Sequence, residues 1–232
     1  MEQEINKNNQ SIYCYDGTSI LINKKGIMDK DKLEKVENML TTYKLSRIIN
    51  DESDFERNLT VNHYLAIHRY LFDELYPFAG ELRKEFTNKK NNAEGLDEEG
   101  VRIYCNPDFI YDCLKLQLDK MKREALKIYT KDNLIDFLTR NYFELYYIHP
   151  FREGNSRTLR EFLREYVEIM NKLLFTFGQF ELAYTELEKE DAEKITRAVI
   201  WNTSENIKKQ DQSYSILREV FEKCLIEKTK TR

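Results

Sequence analysis

The stretch HPFREGNSR, His149 to Arg157, gathers an imidazole, a carboxylate, an amide, a glycine and two guanidiniums into nine positions. The rest of the chain holds only two more histidines, His63 and His68. An imidazole with an unperturbed pKa near ~6.5 suits removal of a proton from a hydroxyl at neutral pH, which makes His149 a candidate general base. The residues that follow, SRTLREFLREYVEIMNKLL, have strong helical periodicity. The polar cluster therefore lies on a loop against a helix N-terminus, where unpaired N–H groups and the positive end of the helix dipole form an anion-binding nest. Phosphate is the expected guest.

On an ideal helix, Arg157, Arg160 and Arg164 fall within about 60° of one another. Leu159, Phe162, Leu163, Tyr166 and Met170 take the opposite side. The arginine stripe is expected to face the nest, since guanidinium forks suit the oxygens of a polyphosphate. A carboxylate there would repel phosphate unless a hard divalent cation lay between them, so Glu153 is assigned to Mg²⁺. Taken singly, a histidine before proline is most often a helix cap and an Arg/Glu-rich helix a solvated face. The ordered cluster points to chemistry.

The elements that must position this cluster are mostly helical. Glycine (7) and proline (3) are too scarce for a turn-rich β protein, and 232 residues suffice for one sizeable core. Helices are expected from Asp31 over Leu33, Val36, Leu40 and Tyr43, with Asp29 or Asp31 as N-cap, and from a Thr60 cap to a stop at Pro77 and Gly80. Further helices are expected at Pro107 to Tyr129, Asp132 to Ile148, Ser156 to Asn171, Leu187 to Lys208 and Gln212 to Lys228. Two β-capable runs, Glu85 to Thr87 and Val101 to Cys105, predict a hairpin flap, and Ser19 to Ile22 a short extended stretch. His63 and His68 diverge by about 140° on one helix and cannot share a metal; His68 is expected in the core or as a cap.

The balance of 37 basic against 41 acidic residues excludes nucleic-acid binding by bulk charge. The cysteines Cys14, Cys105, Cys113 and Cys224 show no CxxC pairing, which argues against a zinc site or a disulfide framework. MEQEINKNNQ has no signal-peptide core, and no apolar run nears the ~20 residues that span a bilayer. A cytoplasmic, non-membrane protein is expected, with delivery into a host cell left open.

The cluster resembles the defining motif of the Fic (filamentation induced by cAMP) family, His-x-Phe-x-(Asp/Glu)-Gly-Asn-(Gly/Lys)-Arg-x-x-Arg, through His149, Phe151, Glu153, Gly154, Asn155, Arg157 and Arg160. ILINKKGIMDKDKLEKVE resembles the family's arm and first helix, and LAIHRYLFDELYPFAGELR its preceding core helix and turn. The resemblance implies an all-α, Fic-type helical bundle with a small β-hairpin flap. The resemblance covers roughly residues 12–200; the polar start predicts a disordered tail at 1–11 and the length a single domain over 12–232, with an arm at 12–30, a core over about 31–200 and a C-terminal helix at about 212–228.

By that resemblance the protein is a protein adenylyltransferase, moving AMP from Mg-ATP to a Ser, Thr or Tyr hydroxyl of a target and releasing pyrophosphate. His149 would be the base and Glu153 the Mg²⁺ ligand. Gly154 and Asn155 would cradle phosphate oxygens, and Arg157 and Arg160 would hold the β- and γ-phosphates. Phe151 would anchor the loop in the core. Ser156 stands where glycine or lysine is usual; its hydroxyl can donate to phosphate, and it leaves open transfer of UMP or phosphocholine. Removal of AMP by the same site, or a silent binding module held by a partner, are the alternatives. The flap, about 85–105, would dock the target; the oligomeric state is left open.

Regulation in this family often uses (Ser/Thr)-x-x-x-Glu-(Gly/Asn), whose glutamate pairs with the second motif arginine. SRIIN at Ser46 to Asn50 lacks the acid, and WNTSEN at Trp201 to Asn206 begins with tryptophan. SILRE, Ser215 to Glu219, fits best, so Glu219 is a candidate internal inhibitor. The preferred expectation is a small antitoxin-like protein that supplies the carboxylate in trans.

Overall fold

The computed structural model describes residues 11–90, 101–203 and 206–228. Residues 1–10 of the tail expected at 1–11, and residues 91–100 of the expected flap, lie outside the described residues. The chain divides into two compact units, one of residues 1–55 and 65–81, the other of 56–64 and 82–232.

In the first unit, helix α1 (Lys30–Ile49) starts at Asp29, whose carboxylate accepts the N–H of Lys32. This satisfies one of the orphan donors of the first turn. Its buried line is Leu33, Glu37, Thr41 and Ile48, while Tyr43 is exposed. The inward face is thus rotated from the stripe that the leucine, valine and tyrosine spacing predicts. The reason is polar: the Tyr76 hydroxyl donates to the buried Glu37 carboxylate, a bond apolar periodicity cannot register. Before α1 the arm closes a short bridge between Cys14 and Leu21, at the expected extended stretch.

Helix α2 (Val61–Phe72) begins after Thr60, whose hydroxyl accepts the His63 N–H. Buried His68 accepts the Gly80 N–H at Nδ1 and lies against Phe72, a core histidine as expected.

In the second unit, strands β1 (Asn88–Lys90) and β2 (Val101–Ile103) pair antiparallel, Asn88 opposite Ile103. The hairpin is where the sequence puts it, but its first strand begins after Glu85–Thr87. The Glu85 carbonyl is taken by Arg83 instead of by a ladder. A 3-10 turn at Pro107–Phe109 leads into α3 (Ile110–Ala125). Next come α4 (Lys131–Ile148), capped by Thr130, and α5 (Asn155–Leu173). Leu159, Phe162, Leu163, Tyr166 and Met170 of α5 are all buried, the predicted core stripe.

After α5, strand β3 (Phe180–Leu182) precedes α6 (Lys189–Trp201), α7 (Ile207–Cys224) and β4 (Leu225–Glu227). Helix α6 packs on α7, α7 on α4, and α4 on both α3 and α5. The terminal helix expected to reach Lys228 stops at Cys224, because Leu225–Glu227 turn extended and pair with Phe180–Leu182. That pairing joins segments more than forty residues apart and is invisible to a helical window. The fold is all-α with small two-stranded sheets, as the sequence predicts.

Candidate active site

Pro150 disfavours the α conformation of the residue before it, and α4 ends there. His149 caps the helix in the left-handed region, φ 46° and ψ 59°, a conformation that non-glycine residues rarely take. The residue is 3% exposed; its ring stacks on Tyr104 with centroids 3.9 Å apart, and Tyr146 meets it edge-on. Tyr104 follows directly on β2, so the hairpin's return leg walls one face of the imidazole. No spacing in the sequence marks Tyr104 for this place.

From His149 the chain crosses Phe151, fully buried and stacked on Tyr64, as expected of a loop anchor. Gly154 then turns the chain at φ 76° into α5, a left-handed position that costs glycine least. Asn155 is buried, and its side chain bonds both backbone groups of Phe151. The amide oxygen accepts the N–H at 2.9 Å and the amide nitrogen donates to the carbonyl at 2.8 Å. The structure thus gives this amide to the loop itself, and leaves the backbone N–H groups of Asn155 and Ser156 at the helix start without an acceptor among the described residues. Thr158 closes the first turn by donating to the Gly154 carbonyl.

Glu153 is partly exposed; it accepts the Gly154 N–H and lies 3.7 Å from the Arg157 guanidinium. Arg160, one turn further, is half-buried and has no hydrogen bond or ion pair among the described residues. Its charge acts on two buried phenols, Tyr142, which burial pushes up to about 12, and Tyr184, which burial also raises.

Arg164 departs from the expected stripe. Its guanidinium donates to both Glu161 oxygens and to Glu168, and stands 3.8 Å from Glu165. Acids on the same helix hold it away from the nest. Glu165, itself 1% exposed, also receives Arg57 at 2.9 Å and His63. Since His63 Nδ1 accepts the Leu59 N–H, the proton sits on Nε2 and is donated to Glu165. His63 is therefore committed to structure.

Glu219 is not brought to Arg160. It lies on the exposed face of α7, whose buried face is Ser213, Leu217, Val220 and Phe221. No ion pair joins the two among the described residues.

Among the described residues no group of three or more His, Cys, Asp or Glu is arranged to hold a metal. Glu153 offers one carboxylate beside the open N–H groups at the start of α5. That donor chemistry suits a hard divalent cation shared with polyphosphate oxygens and would not hold one tightly alone. Among the described residues no helix is long and apolar enough to cross a membrane.

Residues 58–167 match the family model of the Fic/DOC family. A probable protein adenylyltransferase of Sinorhizobium fredii is 28% identical over 188 residues, 75% of this chain and 80% of that protein. The adenylyltransferase VbhT of Bartonella schoenbuchensis is 27% identical over 154 residues, 65% of this chain but 29% of its own length. Among solved structures, the N-terminal Fic domain of an effector from a Bartonella species superposes with TM-score 0.73 at 21% identity, covering 92% of this chain and 90% of that one. An effector of Bartonella tribocorum with bound AMPPNP gives 0.71 at 19%, covering 94% and 97%. These two share the fold.

Proposed function

We propose, for a chain whose residues 58–167 form a Fic/DOC family domain, that it transfers AMP from ATP to a hydroxyl side chain of a protein. The relatives named as protein adenylyltransferases support the reaction class. The observation that carries it is the pairing, across one short loop, of a capped histidine with an open helix N-terminus. On the second turn of that helix Arg160 has no anion beside it among the described residues.

In this reading the N–H groups of Asn155 and Ser156, with Arg157 and Arg160, bind the phosphates and orient the α-phosphorus. His149 takes the proton of the attacking hydroxyl as its oxygen bonds to that phosphorus, and the bond to pyrophosphate breaks. Mg²⁺, held by Glu153 together with phosphate oxygens, would supply charge neutralisation. The Ser156 hydroxyl adds a donor at the nest. Strands β1 and β2 offer an edge on which an extended target segment can pair. Among the described residues Arg160 has no acid partner, and this favours inhibition by a carboxylate supplied by a separate antitoxin-like protein.

Incubation with α-labelled ATP and Mg²⁺ tests the reading. Label should appear on the protein itself or on lysate proteins. His149→Ala should abolish it while ATP binding by calorimetry stays within about threefold. Undiminished transfer by that variant would remove His149 from its role.

A further inference from the structure

The C-terminus of α4 carries orphan carbonyls that some donor must satisfy. Here the carbonyl of Tyr147 in the last turn, that of the cap His149 and that of Pro150 just beyond it are taken by the two legs of the hairpin. Cys105 N–H donates to the Tyr147 carbonyl at 3.1 Å, and Arg83 N–H to the Pro150 carbonyl at 2.8 Å. Arg83 Nε donates to the His149 carbonyl at 2.7 Å. The same guanidinium reaches outward: one terminal nitrogen donates to the Glu85 carbonyl at 2.8 Å, the other to the Cys105 carbonyl.

Arg83 is 2% exposed, so one buried planar fork ties the backbone of the histidine to the entry leg and the exit leg of the hairpin. Tyr104, next to Cys105, adds the stacked ring at 3.9 Å. The left-handed conformation of His149 persists only where its surroundings over-determine it, and these bonds do so.

We propose that Arg83 is a positioning residue that makes the hairpin and His149 one mechanical element, so that the histidine is aimed only while both legs are in place. A segment docked on the hairpin would then be read at the base through Arg83. The consequence for transfer rests on the function proposed above; the coupling itself does not.

Two measurements test it. In native-state hydrogen exchange of the wild-type protein under mild denaturant, segments 84–88, 103–106 and 147–151 should open as one unit, with a common opening free energy and denaturant dependence. Opening of 147–151 independently of the legs overturns the proposal, whatever the protein catalyses. In Arg83→Lys, which keeps a cation at the helix end but lacks the three-way fork, those segments should gain exchange together by at least tenfold while residues 159–170 of α5 keep theirs. For AMP transfer, kcat should fall at least tenfold with KM for ATP within threefold. A plain helix cap would lower stability and leave kcat as in wild type, and that result rejects the positioning role. If the wild-type protein transfers no label, the proposed function fails and the exchange experiment still decides the coupling.

Discussion

Asn155 shows how a single side chain fixes the shape of a loop. Its amide supplies both an acceptor and a donor to one residue, Phe151, in a place without solvent. Removal leaves a buried N–H and a buried carbonyl unsatisfied, each costing about 1–3 kcal/mol. Asn155→Ala is therefore expected to lower unfolding free energy by about 2–4 kcal/mol in denaturant titrations, and to weaken ATP binding because the first turn of α5 loses its fixed start. An unchanged denaturation midpoint would show that the loop holds its shape by other means. The residue type was legible as part of a motif; its occupation by Phe151 was not, since phosphate binding and loop clamping call for the same amide.

At the scale of elements, the C-terminal end of α4 and the N-terminal end of α5 are the two that matter, and α7 is not among them. Helix α7 turns Leu217, Val220 and Phe221 inward and leaves Glu219 on the outside. No ion pair joins Glu219 to Arg160 among the described residues, so under the proposed function it is not placed to compete with phosphate. Auto-modification by Glu219→Gly should accordingly match wild type within about twofold, whereas a rise of tenfold, about 1.4 kcal/mol of relieved competition, would restore internal control. The pattern Ser-x-x-x-Glu is short and any Glu-rich helix produces it by chance; which face it occupies depends on the neighbour the helix packs against.

At the scale of the molecule, the second unit carries a buried ionic network beneath the site, with Arg164 over Glu161, Glu165 and Glu168, and Arg57 and His63 on Glu165. Burial pushes the Glu161 carboxyl up to about 7, against the lowering effect of Arg164. A carboxyl that binds its proton more tightly folded than unfolded favours the native state most below the unfolded pKa, ~4.5, and this contribution is lost as pH rises through about 7. Wild type should thus lose on the order of 1–3 kcal/mol between about pH 4.5 and 7.5 relative to Glu161→Gln, which cannot titrate. Parallel stability curves for the two proteins across that range would contradict the assignment.

The loop that gathers His149 to Arg160, the helices that flank it and the existence of a hairpin were determined by the sequence alone. Each is written in residues close together along the chain, where caps, breakers and helical periodicity act. What only the tertiary structure decided are contacts between distant segments. Arg83 reaches a carbonyl 66 positions away, and Tyr104 is laid on an imidazole from another element. Glu165 is met by Arg57 and His63 from another segment, and Leu225–Glu227 leave the helix to pair with β3. A guanidinium or an aromatic ring reads the same in sequence whether it meets solvent, a carboxylate or a backbone carbonyl. Only the packing that excludes water from it makes one partner binding and the others absent.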